Sequence, residues 1–188
     1  NSLPRVAILG ATSHIAKGLI AQFLQTQSAR LVLFGRSAER IRAFLKSANC
    51  AGPAEIMQGY DEFDSGNYDV IINCVGAGSP RKLGSDRSIW FTLTEEFDNL
   101  VLHYLRRKNP AALYINFSSG AIYGENQGRP FREEDPLSLP VNGLVPADYY
   151  TVARLNAEAK HRSMSGLRIV DLRIFAYFSR YAECSLGY

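Results

Sequence analysis

Short runs of apolar, mostly β-branched residues alternate along this chain with longer segments in which apolar residues recur every three or four positions. The first pattern is typical of buried strands and the second of amphipathic helices, so together they predict the strand–helix–strand units of a parallel sheet. We expect six strands, at Arg5–Leu9, Leu31–Phe34, Ala54–Met57, Val70–Val75, Leu113–Phe117 and Arg168–Ile174. We expect four helices, over Ser13–Gln27, from Ser37 onward, over Ile89–Arg107 and over Tyr149–His161. The predicted fold class is α/β, a doubly wound parallel sheet, in one domain over residues 1–188.

Composition and charge narrow the classes of function. The 188 residues are 46% hydrophobic, which is ordinary for a globular domain with one core. The net charge of +3 comes from 21 basic and 18 acidic side chains mixed along the chain, a pattern that disfavours nucleic acid as a partner. The scattered cysteines fit a reducing compartment, and the histidines lack the spacing of a metal site. Without a leader or a bilayer-spanning apolar run, we expect a cytoplasmic protein with no metal and no membrane contact.

The loop after the first predicted strand, Gly10–Ala16, has features of a dinucleotide-binding turn. A glycine there permits a tight turn, and the helix that follows directs its backbone N–H groups toward a pyrophosphate. Gly10 supplies the first glycine, but Ser13 and Ala16 occupy the two later glycine-like positions. An ordinary strand-to-helix turn therefore stays open as an alternative at this point.

The second predicted strand runs into Gly35–Ser37, where a site that prefers NAD usually has an Asp or Glu for the ribose hydroxyls. No carboxylate stands there. Arg36, helped by Ser37 or Arg40, could instead bind the 2′-phosphate of NADP through charge-assisted hydrogen bonds. The alternative is a solvated surface arginine. The pattern slightly favours NADP over NAD.

Two further segments carry groups that could handle a proton. The fifth predicted strand delivers Ser118 and Ser119 at its carboxyl end, the side on which open α/β sheets bind ligands, although a Ser-Ser pair is also common in turns. Tyr150 and Arg154 are four residues apart on a predicted helix and so share a face. Tyrosine has a pKa of about 10 in water, and a neighbouring cation makes it useful as an acid/base near neutrality. Arg154 can supply that charge.

With these elements in this order, the chain resembles the extended short-chain dehydrogenase/reductase superfamily, and specifically the NAD-dependent epimerase/dehydratase family of nucleotide-sugar enzymes. The resemblance spans Val6–Phe175. It includes Pro130–Glu133 before the tyrosine, Asn156–Glu158 after it, and Leu172–Phe175 at the sixth strand. It implies a Rossmann fold.

The resemblance also implies roles for individual residues. Tyr150 would be the acid/base at a sugar hydroxyl, and Ser119 would assist it. Arg154 stands in the place of the family's lysine, which contacts the nicotinamide ribose and lowers the tyrosine pKa. The residues implied to line the cofactor, besides Tyr150, Arg154 and Arg36, are Gly10, Thr12, Ser13, His14, Ile15, Asn73, Val75 and Gly76.

Departures from the family pattern limit the prediction. An arginine cannot simply reproduce the point contact of a lysine. Gly120–Ala121 replaces the Asp-Glu pair of the family's sugar 4,6-dehydratases, so a dehydratase of that kind is not expected. Because the sequence stops at Tyr188, we expect the carboxyl-terminal substrate lobe usual in the family to be minimal or missing.

The sequence thus predicts an NAD(P)-dependent oxidoreductase or epimerase that acts on a nucleotide sugar, as a 4-epimerase or ketosugar reductase. The alternative is an NADP(H)-binding regulatory or redox-sensing module without turnover. For the apolar stripe of the Ile89–Arg107 helix, two interpretations stay open. It packs wholly against the sheet, or, as in relatives, it contributes with the tyrosine helix to the four-helix contact of a homodimer.

Overall fold

A computed structural model describes residues 2–50, 52–76, 86–124, 128–137, 139 and 141–182. The chain end at Tyr188 lies outside the described residues. The strands are β1 (Arg5–Leu9), β2 (Arg30–Gly35), β3 (Ala54–Gln58), β4 (Val70–Asn73), β5 (Leu113–Ser119) and β6 (Arg168–Ile174). The α-helices are α1 (His14–Thr26), α2 (Ala38–Ser47), α3 (Ile89–Arg107) and α4 (Asp148–Arg162).

All six strands form one parallel sheet in the order β3-β2-β1-β4-β5-β6. This is the doubly wound, Rossmann-like sheet that the sequence predicted. Because β1 lies beside both β2 and β4, the order of connection reverses there, which in open α/β sheets opens a crevice at the carboxyl ends of the strands. The candidate site is therefore expected at this edge.

Two strands end two residues away from their predicted ends, for local reasons. β4 ends at Asn73, two residues before the predicted Val75, because the Asn73 side chain accepts a hydrogen bond from the Val75 N–H and turns the chain. β5 runs on to Ser119, past the predicted Phe117, because its last two residues still pair with β6. These differences move no predicted element to another place in the sheet.

Two apolar cores lie on opposite faces of the sheet, as the alternation of side chains along a strand requires. Ile8 and its neighbours pack against Ile20 of α1 and Ile41 of α2. On the other face, Leu9 belongs to a core with Val101 and other residues of α3. The apolar stripe of α3 thus packs largely against the sheet, and its use in a dimer stays a prediction.

No helix in the described ranges is both long enough and apolar enough to cross a membrane.

Candidate active site

The turn between β1 and α1 requires glycine at position 10. Gly10 has a φ of +71°, in the left-handed region that favours glycine. A Cβ at this position would lie only 2.9 Å from the carbonyl oxygen of Cys74, just after β4. The main chain after β1 therefore lies in close contact with the main chain after β4. A dinucleotide site needs such an uncovered main chain so that a phosphate can come close to it.

The start of α1 is suited to bind an anion. Ser13 is the N-cap, and its Oγ accepts a hydrogen bond from the Ala16 N–H at 3.4 Å. The first turn carries no acidic residue, so no side chain there neutralises the positive end of the helix dipole. Thr12 and Ile15 are half-buried beside it. The predicted pyrophosphate residues are thus collected at a helix N-terminus.

The His14 side chain is turned toward the segment that follows β6. Its Nε2 lies 2.7 Å from Ser179 Oγ, and its ring meets the Tyr177 ring edge-on, with centroids 5.1 Å apart. A Cβ at Gly18, one turn further along α1, would overlap the Tyr177 hydroxyl. The sequence analysis did not predict this contact, which joins residues 165 positions apart. Any contact of His14 with a cofactor would therefore be made beside this segment.

The residues after β4 are brought next to α4. Asn73 is buried, and its Nδ2 donates to the Tyr114 hydroxyl at 3.3 Å while its Oδ1 accepts from the Val75 N–H at 3.0 Å. The amide of Asn73 is therefore used within the protein, where it fixes the turn at Val75 and Gly76. A Cβ at Gly76 would lie 3.7 Å from Nη2 of Arg154. The cofactor residues predicted after β4 and the predicted cation thus lie together.

Tyr150 and Arg154 are in contact on α4, as their spacing predicted. The guanidinium carbon of Arg154 lies 5.3 Å from the centroid of the Tyr150 ring. Trp90 of α3 packs against the same ring at 5.9 Å between centroids, so the half-buried phenol is held between two helices. Arg154 Nε is buried and has no hydrogen-bond partner among the described residues. A buried donor without a partner is costly, and an acceptor supplied by a ligand would satisfy it.

Ser119 lies at the carboxyl end of β5, as predicted. Its Oγ accepts from the Ala121 N–H at 3.1 Å and so caps the 3₁₀ turn Gly120–Tyr123. It makes no hydrogen bond with Tyr150 in the described structure, and its own proton is left for another acceptor. A Cβ at Gly120 would overlap the Phe175 ring. An aspartate at position 120 would therefore require the exposed Phe175 ring to move.

Arg36 is exposed at the end of β2. Ser37, which was considered as its helper, instead caps α2 by accepting from the Arg40 N–H at 3.2 Å. Arg36 makes no hydrogen bond or ion pair with any residue in the described part of the chain. Its guanidinium therefore keeps its donors for an external group.

One group that the sequence analysis did not assign is the Arg173 cluster. Arg173 of β6 binds the buried Glu158 of α4, with Nη2 2.8 Å from Oε2, and the carboxylate raises the Arg173 pKa. Its Nη1 also donates to the Tyr123 hydroxyl and to the Glu133 carbonyl, so the loop before α4 is tied to the sheet. A buried Glu on a helix is rare without a partner, so the position of Glu158 on α4 was the sequence feature that could have indicated this cluster.

A second unassigned cluster surrounds His161 of α4. Its Nε2 lies 2.6 Å from Asp98 Oδ1 of α3, and its Nδ1 lies 2.8 Å from Asp171 Oδ1 of β6. Burial lowers the His161 pKa, but the bonds to the two carboxylates outweigh burial and raise it to about 9. Burial raises the Asp98 pKa, yet bonds with His161 and Lys160 hold it below its usual range. The cluster is thus a buried set of paired charges.

Tyr114 connects this cluster to the end of β4. Its hydroxyl donates to Asp98 Oδ1 at 3.0 Å and receives the hydrogen bond from Asn73. Where the structure describes the chain, no group of three or more His, Cys, Asp or Glu side chains could hold a metal ion. The hydrogen bonds of Tyr114 link the paired charges around His161 to Asn73 at the end of β4.

The residues at this sheet edge fit a dinucleotide. Gly10 leaves a cradle that a Cβ would fill, and the start of α1 offers unneutralised donors. At the other end of the crevice, Arg154 holds an unsatisfied buried nitrogen beside Tyr150.

Comparison with known proteins agrees with this arrangement. A sequence model of the NAD dependent epimerase/dehydratase family matches residues 6–185, which is nearly all of the chain. The chain belongs to this family. The resemblance inferred from its motifs is thereby confirmed at the family level. No curated protein sequence matches the chain.

Several solved structures share the fold. The UDP-glucuronic acid 4-epimerase from Bacillus cereus, in complex with NAD, has 19% sequence identity and a TM-score of 0.68, over 91% of this chain and 55% of that chain. The terminal R domain from the myxalamid PKS-NRPS biosynthetic pathway has 20% identity and a TM-score of 0.74, over 92% and 49%. Gre2 from Candida albicans, in complex with NADPH, has 15% identity and a TM-score of 0.70, over 89% and 56%. This chain therefore spans about half the length of these structures.

Proposed function

We propose that this chain is the NAD(P)-binding part of an epimerase or reductase of the short-chain dehydrogenase type. Its substrate would be a nucleotide sugar, and the reaction a 4-epimerisation or the reduction of a ketosugar. The observation that carries the proposal is the Tyr150–Arg154 pair, which lies against Gly76 at the same edge as Gly10. Structures with this fold include UDP-sugar 4-epimerases and an NADPH complex, which supports this substrate class and cofactor.

When bound, the nicotinamide cofactor would supply hydride transfer, and the chain's own residues would manage the proton. The Tyr150 hydroxyl would donate a proton to a sugar carbonyl, or take one from a sugar hydroxyl. Arg154, over the ring face, would stabilise negative charge on the phenolate. Ser119 accepts from Ala121 N–H, so its own proton would go to the substrate oxygen.

For the adenosine end of the cofactor, the proposal is NADP rather than NAD. It rests on Arg36, which is exposed and lacks an ion-pair partner among the described residues. A cytoplasmic location and a homodimer stay predictions from the sequence.

A second candidate function is an NADP(H)-binding regulatory or redox-sensing module without turnover. Arg154 favours it, because a planar guanidinium over the Tyr150 ring cannot reproduce the contact of an ammonium. This candidate shares the binding site and differs only in chemistry, so hydride transfer separates the two.

The deciding experiment supplies NADPH deuterated at C4 of the nicotinamide, on each face in turn, with a panel of 4-keto nucleotide sugars. We expect deuterium from one face only at the former ketone carbon of at least one sugar. Tight dinucleotide binding with no transfer to any sugar would favour the regulatory module instead. No binding of either dinucleotide would contradict both candidates.

A further inference from the structure

Tyr60, which the sequence analysis did not single out, lies against the end of β2. After β3, the Gly59 N–H donates to the Gly35 carbonyl at 2.9 Å, and the two glycines form an isolated antiparallel bridge. Gly59 has a φ of +78°, so glycine is favoured at this turn. Because the bridge is antiparallel, it sets Tyr60 opposite Phe34, two residues before Arg36 at the end of β2.

The ring of Tyr60 is held by aromatic neighbours from two elements. It stacks on Phe34 of β2 with centroids 6.3 Å apart, and it meets Phe97 of α3 edge-on at 4.6 Å. With both contacts in place the ring is half-buried. The direction of its hydroxyl is therefore set by packing that is independent of any ligand.

The Gly10 backbone and Arg36 are both close enough to the Tyr60 hydroxyl to affect its pKa. Burial raises the Tyr60 pKa, whereas a hydrogen bond from the Gly10 backbone and the charge of Arg36 lower it. The carboxylate of Glu96 on α3 raises the pKa as well, with the smallest effect of the four. A backbone bond that lowers a phenol pKa is one in which the N–H donates to the phenolic oxygen. The phenolic proton is then left for an acceptor outside the protein.

The hydrogen-bond donors of Tyr60 and Arg36 favour a ligand group that accepts hydrogen bonds and donates none. Tyr60 has a proton to give, and Arg36 has guanidinium donors that no described residue uses. A ribose diol is both donor and acceptor and is usually matched by a carboxylate, whereas a phosphate accepts only. We propose that Tyr60 and Arg36 together bind the 2′-phosphate of NADP and discriminate against NAD. This inference rests on the proposed dinucleotide function and adds a residue that selects the cofactor.

The test compares the dissociation constants of NADP and NAD by calorimetry, and its readout is their ratio, the preference for NADP. Tyr60→Phe removes only the hydroxyl, and we expect the preference to fall about tenfold. Tyr60→Phe also loses the contact with Gly10, and any part of that effect shared by NADP and NAD cancels in the ratio. The matched control is Tyr104→Phe, whose hydroxyl accepts from the Tyr68 N–H before β4, at the opposite edge of the sheet. The Tyr104→Phe variant is expected to prefer NADP over NAD to the same extent as the wild type.

A double-mutant cycle with Arg36→Met tests whether the two side chains share one phosphate. If they do, the double variant loses less preference than the product of the two single losses. An unchanged preference in Tyr60→Phe, or tighter binding of NAD by the wild type, would overturn the inference while the proposed function stands. If neither dinucleotide binds the wild type, the proposed function and the inference fall together.

Discussion

Because His161 is buried between two carboxylates, we expect this protein to lose stability as the pH becomes alkaline. Its imidazolium is 2% exposed and lies between Asp98 and Asp171 at 2.6 and 2.8 Å. The pKa is 6.5 for a free imidazole and about 9 in the fold. At about 1.4 kcal/mol per pH unit, this difference corresponds to roughly 3 kcal/mol of folding stability. Because the folded pKa is the higher one, this contribution is complete below pH 6.5 and is lost as pH rises through about 9.

Urea unfolding at intervals from pH 6 to pH 10 measures this contribution. We expect His161→Gln to lose roughly 3 kcal/mol of unfolding free energy at pH 6, and the gap from wild type to close as pH approaches 10. Other groups also titrate at high pH, but they are common to both proteins and cancel in the difference. His103→Gln, at an exposed position of α3, is the matched control and should track the wild type. A gap for His161→Gln that stays constant across the pH range would refute the reasoning.

Three other variants test separate parts of the account. Gly10→Ala should abolish dinucleotide binding and cost about 1 to 3 kcal/mol of stability, since position 10 needs a positive φ and has no room for a Cβ; retained binding in a titration would contradict this. Glu158→Gln should cost about 3 kcal/mol in urea unfolding because it leaves the Arg173 charge uncompensated, whereas Arg162→Gln, which removes the exposed partner of the same carboxylate, should cost less than about 0.5 kcal/mol. Equal costs would show that burial does not matter there. Arg154→Met should lower kcat/KM at least about 100-fold while Arg154→Lys stays within about tenfold of wild type, and similar rates for both would remove the need for a cation.

Local sequence pattern was sufficient to predict the fold. Strand and helix periodicity predicted the limits of β1, β6 and α3, because apolar alternation reflects burial directly. The starts of α1 and α2 were also predicted to within one residue, and Ser13 and Ser37 cap these helices. The contact between Tyr150 and Arg154 could be predicted because it depends only on the geometry of one helix, and the two side chains are in contact.

Contacts between residues far apart along the chain were not predictable in this way. His161 meets Asp98 across 63 positions, and both would have been placed on solvent-facing sides of their helices by charge alone. Tyr60 follows the third predicted strand, and only the Gly35–Gly59 bridge shows that it lies against the end of β2. Such groups become visible when the sheet order is known, because that order decides which strand ends are neighbours.

The most direct test of the central claim is single-turnover hydride transfer with Tyr150→Phe. This substitution keeps the ring that packs against Trp90 and Arg154 and removes only the oxygen. We predict that the rate of transfer from NADPH to a 4-keto nucleotide sugar falls about 100-fold or more, while the dissociation constant of NADPH changes less than about threefold. An equal rate in wild type and variant would contradict the assignment of Tyr150 as the acid/base.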